Sequence, residues 1–191
     1  MKFEQAREFI LEKLKRELPE HLTYHSTEHI KDVYAAAETI ADYEGISGDD
    51  RLLLLTAVLF HDSGFIIQQK EHESISCDIA RECLPDFEYT NEQISTICGM
   101  IMATRLPQLP KNLLEQIMCD SDLDYLGRDD FFTIGNKLFN ELKVYGIIHN
   151  QDEWNNLQIR FLQNHQYFTH TAIRLRKEKK EAHLQLLKYL I

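Results

Sequence analysis

Proline and glycine are scarce, at 4 and 7 of the 191 residues. These residues punctuate short elements. Their shortage, with no sustained alternation of apolar and polar residues, argues against a sheet and for one helix after another. Cysteine pairs are missing as well. Cys77, Cys83, Cys98 and Cys119 form no CxxC pair, which excludes a zinc ribbon or a dense disulfide framework and fits small packing groups in a reducing compartment. Basic charge is in deficit, with 21 Lys and Arg against 31 Asp and Glu and a formal net charge of -10. Nucleic-acid polymers are held mainly by clustered cations, so no such partner is expected. The longest apolar run, Leu52 to Phe60, is far shorter than the ~20 residues that cross a bilayer. The opening MKFEQAREF carries no secretion-type apolar segment. The expectation is a cytoplasmic protein with no membrane contact.

What the chain does have is 43% hydrophobic residues, enough over this length for a single domain, 1–191, with a substantial core. The fold class read from the pattern is all-α, a single multi-helix bundle. Phe3, Ile10, Leu11 and Leu14 stripe a first helix that ends near Leu18-Pro19. Ser26 or Thr27 caps a second, with Ile30, Val33, Tyr34, Ala37 and Ile40 at core spacing and Gly45 closing it. Asp49-Asp50 open a third, almost wholly apolar helix that delivers His61 and Asp62 to its C-terminal end, with Gly64 as its left-handed stop. A helix then runs to Leu84-Pro85. Thr90 with Gln93 resembles a capping box for the next, LPQLP forms a rigid turn, and a helix from about Asn112 runs into MCDSDLDYLG. The last third reads as a long amphipathic helix from Arg128 to about Val144, a break at Gly146, a helix capped by Asp152, and a terminal helix through Leu175 and Leu186. The long amphipathic C-terminal helix offers a face on which a second copy of the chain could pair, which leaves a homodimer open without fixing the oligomeric state.

Four side chains stand out as cation ligands: His29 at the start of one helix, His61-Asp62 at the end of the next, and Asp120 in the cluster Asp120, Asp122, Asp124. Crowded carboxylates after an apolar helix are costly unless solvent or a cation compensates them. A nitrogen and oxygen set without sulfur points to Mn, Fe, Co, Ni or Zn in an open site rather than to a structural zinc. Such ligands meet only through tertiary packing.

This pattern, His, then His-Asp, then Asp, resembles the HD-domain superfamily of metal-dependent phosphohydrolases. The resemblance rests on His29 in HIKDV, His61 and Asp62 in LFHDSG, and Asp120 in MCDSDLDYLG, and covers roughly 25–127, the HD core. YHSTEH, IMATRLPQLP and DSDLDYLG look like a subgroup of small members. The resemblance implies a helical bundle with one or two divalent ions (Mn, Fe, Co, Ni, Zn or Mg). It implies hydrolysis of a small phosphate ester or nucleotide by attack of metal-bound water, with Asp62 as ligand and Asp124 either orienting the water or serving only as a solvated or capping carboxylate.

Two-metal members, including di-iron oxygenases of this fold, carry further histidines after the His-Asp pair. Here only His72 is present, and Thr104-Arg105 stand in the second place, so one ion per chain is favoured and the oxygenase reading weakens. Arg105 either grips substrate phosphate or lies on a helix end at the surface. His25 and His72 read as polar residues beside the site, toward substrate, rather than as ligands. A regulatory module that binds a nucleotide without turning it over is the alternative. RLRKEKKEAH interleaves acids with bases and reads as a solvated face, while Trp154, Tyr167 and Phe168 read as buried on helical stripes. His149, His165, His170 and His183 have no assigned role.

Overall fold

The helix Gly48–Phe60 lies at the centre, and every residue from Leu53 to Phe60 is buried. A computed structural model of the chain describes residues 1–190. Among these residues there is no strand, and nine α-helices run in order: α1 (Phe3–Glu17), α2 (Thr27–Tyr43), α3 (Gly48–Phe60), α4 (His72–Cys83), α5 (Asn91–Ala103), α6 (Leu113–Asp122), α7 (Phe131–Val144), α8 (Gln151–Asn164) and α9 (His170–Tyr189). Short 3-10 turns occupy Ser63–Ile66, Leu84–Phe87 and Asp124–Gly127. None of the described helices is long and apolar enough to cross a membrane.

An α-helix apolar on all sides must be surrounded, and α3 packs against α1, α2, α4, α5 and α6. The stripe Ile30, Val33, Ala37, Ile40 and Ala41 turns α2 inward, and Ile94, Ile97 and Ile101 do the same for α5. Each fully buried Leu, Ile or Phe contributes roughly 1.5–3 kcal/mol, so this packing holds the ends of α2, α3 and α6 in fixed places. Local signals set the starts. Thr90 and Gln93 form the capping box of α5, at 3.3 and 2.9 Å, and Asn112 accepts the Glu115 N–H at 3.0 Å to open α6. The cap of α8 is Asn150, bonded by the Glu153 N–H at 2.9 Å, rather than Asp152, which lies in the first turn where the dipole favours it. Tyr167 and Phe168 sit in the connection before α9 rather than on a helix.

Gly64 does not stop α3 through a left-handed conformation. α3 ends at Phe60, and Gly64 lies inside the turn Ser63–Ile66. It is needed for close approach: a Cβ there would stand 2.1 Å from the His72 carbonyl oxygen. The Ser76 hydroxyl fastens the same junction, donating to the His61 carbonyl at 2.6 Å and accepting the Gly64 N–H at 2.8 Å. A similar contact seats α9, since a Cβ on Gly127 would come within 2.3 Å of the Arg176 carbonyl oxygen.

Gly64→Ala is expected to cost roughly 1–3 kcal/mol or more through this overpacking. Gly99→Ala, where the nearest atom to the new Cβ is the Glu115 carboxylate at 3.4 Å, should stay within about 1 kcal/mol of the parent, with the helix preference for Ala working in its favour. Thermal or urea unfolding of both variants gives the comparison, and equal losses would refute the close-approach role.

Candidate metal centre

Three helix ends meet at one point. His29 is in the first turn of α2, His61 and Asp62 follow directly on α3, and Asp122 is the last residue of α6. The His29 Nε2 lies 3.2 Å from Asp122 Oδ1 and 3.5 Å from Asp62 Oδ2. The His61 Nε2 lies 3.2 Å from Asp62 Oδ2 and 3.6 Å from Asp122 Oδ1. Candidate ligand atoms of His29, His61 and Asp122 all fall within 4.8 Å of one another. Yet His29 Nε2, His61 Nε2 and Asp62 Oδ2 are shut off from solvent with no hydrogen-bond partner. They converge on a common centre, near enough to attract one another but without hydrogen-bond geometry.

Polar atoms stranded in this way cost free energy unless something satisfies them. Two imidazole nitrogens and two carboxylates are the donor set of a divalent cation, and the carbonyl end of α3 adds negative potential. The His61 ring is already oriented for the task. Its Nδ1 donates to the Val58 carbonyl at 2.8 Å, which fixes the ring orientation and turns Nε2 toward the centre. Burial opposes charge on these groups, but the neighbours outweigh it. His61 is raised well above its usual value by Asp62 and Asp122, Asp62 is held well below the carboxylate range by His61, and Asp122 is lowered to about 2 by His29 and His61.

Asp120, expected among the ligands, is turned elsewhere. Its carboxylate accepts the Phe168 N–H at 2.9 Å and, through Oδ2, the Thr169 N–H and hydroxyl, both at 2.7 Å. It therefore anchors the N-terminus of α9, where a negative charge is favoured. Burial nevertheless raises its pKa to about 6, against those three donors. Asp122 takes the place expected of Asp120.

The model of the HD domain family matches residues 27–124, about half of the chain, and spans His29, His61, Asp62 and Asp122. The chain belongs to the HD domain family. That family is one of metal-dependent phosphohydrolases. A search of the curated proteins and a search of the solved structures found no significant match.

Around the HD centre the remaining expected residues divide. His72, the first residue of α4, brings its Nε2 within 3.5 Å of Asp62 Oδ1 and 3.7 Å of Glu73 Oε1, so Asp62 turns one oxygen to the ligand cluster and the other to His72. Arg105 follows α5 and lies beside Glu73, Nε to Oε2 at 3.6 Å. His25 packs on Phe65, with ring centroids 4.0 Å apart. Together His25, His72, Arg105, Asp62 and Asp122 line the polar end of a cavity of about 690 Å3. Asp124 does not join them. Arg176 donates to its carboxylate at 2.7 Å and Arg128 lies 3.6 Å away, so two guanidinium groups occupy the oxygens that were expected to orient water.

Glu141 was not anticipated from the sequence, although a signal was there. It falls on the inward stripe of α7, seven residues after Ile134 and three after Leu138, and its side chain is fully buried. A carboxylate at such a position needs donors. It receives the backbone N–H groups of Tyr24 at 2.9 Å and His25 at 3.1 Å, and is hydrogen-bonded to His25 Nδ1. Burial works against both charges, yet the bond raises His25 above its ordinary pKa and lowers Glu141 below its own.

Asp120→Asn is expected to keep the metal content of the protein and to lose about 1–3 kcal/mol of stability, the cost of disturbed buried hydrogen bonds. Asp122→Asn should keep most of its stability and lose metal. Elemental analysis beside thermal unfolding reads both, and metal loss confined to Asp120→Asn would reverse the assignment. The His25–Glu141 pair adds a pH signature. With unfolded values near 6.5 and 4.5, its contribution is full between those pH values. It fades as pH rises through the raised value of folded His25 and as pH falls through the lowered value of folded Glu141. Unfolding of the parent and of Glu141→Gln across pH 3 to 9, compared as a difference, should show this two-sided loss, and a difference that is flat with pH would exclude the charged pair.

Proposed function

We propose that this protein is a metal-dependent phosphohydrolase that uses water to cleave a small phosphate ester. The observation that carries the reading is the convergence of three solvent-excluded, partnerless ligand atoms in a cluster whose Asp62 and Asp122 line a cavity that also receives a guanidinium and two further imidazoles. His29, His61, Asp62 and Asp122 would hold the cation. A divalent ion bound there supplies Lewis-acid chemistry, acidifying water and offsetting the charge that grows on phosphoryl oxygens.

The chain's own groups account for the rest of the reaction. In hydrolysis a water oxygen bonds to phosphorus as the ester P–O bond breaks, one water proton is given up, and the departing alkoxide gains one. Arg105 provides N–H donors for phosphoryl oxygens, with Glu73 beside its Nε to orient it. His25, whose Nδ1 is hydrogen-bonded to Glu141, presents its Nε2 edge as the group that would donate to a phosphoryl or departing oxygen when the ring is protonated. Asp62 acts as a ligand, and His72, which its Oδ1 faces, is the neighbouring group we assign to accept the proton from water.

Metal-stripped protein should release inorganic phosphate from a panel of phosphomonoesters only after Mn, Co, Ni, Zn, Fe or Mg is restored. His61→Ala and Asp122→Ala should lose bound metal and lower kcat/KM on the order of a hundredfold to a thousandfold. Arg105→Ala should act mainly on KM, raising it about tenfold to a hundredfold for a lost charged hydrogen bond. Protein that binds metal and phosphate analogues stoichiometrically yet frees no phosphate from any ester would show a binding module instead.

A further inference from the structure

The cavity beside the metal centre has two chemically different ends. One is the polar rim of Asp62, Asp122, His25, His72 and Arg105. The other is walled by Leu126, Phe131, Leu138, Leu142, Trp154 and Phe161. The two ends also come from different parts of the chain. The ligands lie inside the matched HD core of 27–124, and the apolar wall lies beyond it, on the turn Asp124–Gly127 and on α7 and α8.

Leu138 and Leu142 stand one turn apart on α7, Leu157 and Phe161 one turn apart on α8, and all four are only half-buried while lining the same space. The principal packing partner of α7 is the turn Asp124–Gly127, and that of α8 is α9. α7 and α8 touch at Gly135 and at the stacked rings of Phe139 and Trp154, and the space that opens beside this contact is lined by hydrocarbon from both helices. Beside the indole of Trp154, the polar side chain that α7 and α8 add to this lining is Gln158. A nucleobase and ribose would bring several donors and acceptors into that region and leave most of them unmatched, which selects against such a ligand. An apolar group meets no such penalty, and the volume of about 690 Å3 lies within the range of pockets that enclose drug-sized molecules.

We infer that the substrates are phosphate monoesters of apolar alcohols, alkyl or aryl, with the phosphate at the metal end and the hydrocarbon between α7 and α8, and that nucleotides are poor ligands. The inference rests on the phosphohydrolase reading and narrows it. Hydrolysis would return the apolar alcohol and inorganic phosphate, the alkoxide oxygen taking up the proton.

The test uses the full chain loaded with Mn and calorimetric binding of n-alkylphosphonates from one to ten carbons, with inorganic phosphate and adenosine 5'-monophosphate for comparison. Affinity should rise about fourfold per methylene while the chain is being buried and then level off, and the nucleotide should bind no better than methylphosphonate. Leu138→Asp should flatten the chain-length dependence and leave methylphosphonate binding in place. Leu157→Asn, a milder change on the facing helix, should reduce the slope and serves if the first variant does not fold. If methylphosphonate and phosphate bind in a metal-dependent way but added methylenes bring nothing, or if the nucleotide binds more tightly than decylphosphonate, the apolar-substrate inference is wrong and the hydrolase reading stands. If neither headgroup binds even with metal present, the hydrolase reading fails and this inference with it.

Discussion

Holding two imidazoles and two carboxylates together, with both imidazole Nε2 atoms and one carboxylate oxygen shut off from water, is the constraint that organises this molecule. Left alone, such a cluster would be relieved by small rotations that let its members pair or reach solvent. Here the stems cannot give way. His61 is bonded through Nδ1 to Val58, its carbonyl is clamped by Ser76, and the backbone just beyond it is pressed against His72 with no room for a Cβ. The helices that supply His29 and Asp122 are packed on α3. The hydrophobic core thus does more than stabilise the bundle. It keeps polar groups in an arrangement they would otherwise leave, which is how a folded scaffold preorganises a cation site.

Much of this could be read from the chain before folding. The apolar periodicities of α1 to α5 marked the helices, and His29, His61 and Asp62, singled out at helix ends, are brought together in the structure. The last carboxylate was not resolved correctly, for a plain geometric reason. Asp120 and Asp122 are two positions apart on a helix of about 3.6 residues per turn, so their side chains point to nearly opposite sides. Which side faces the histidines depends on the rotation of α6, set by the burial of Ile117, Met118 and Cys119 and by a partner 48 residues downstream at Phe168. No local pattern contains that information. Gly64 was misread for a related reason: its role is a contact with His72, and a turn-forming glycine and a contact-permitting one look alike in sequence. Glu141 was legible in principle, as an acid on an inward stripe, but its donors lie on the segment before α2.

The last third of the chain completes the site without supplying a ligand. Through Glu141 it holds His25, through Thr169 it engages Asp120, and through Arg176 it neutralises Asp124. It also builds the apolar wall. Under the phosphohydrolase proposal a division of labour follows, in which the matched core would carry the reactive end and the helices after it would shape the space for the rest of a substrate. Fold membership speaks to the first, and only the particular side chains of α7 and α8 speak to the second.

The bonds from Asp120 to the start of α9 carry one more implication. A stretch excised at the borders of the family match would keep every ligand but would strip this aspartate of the amides and hydroxyl that hold it, two positions from the ligand at the tip of α6. The recognisable core therefore leans on a segment outside it, and a portion of this polypeptide that keeps these bonds has to reach at least Thr169.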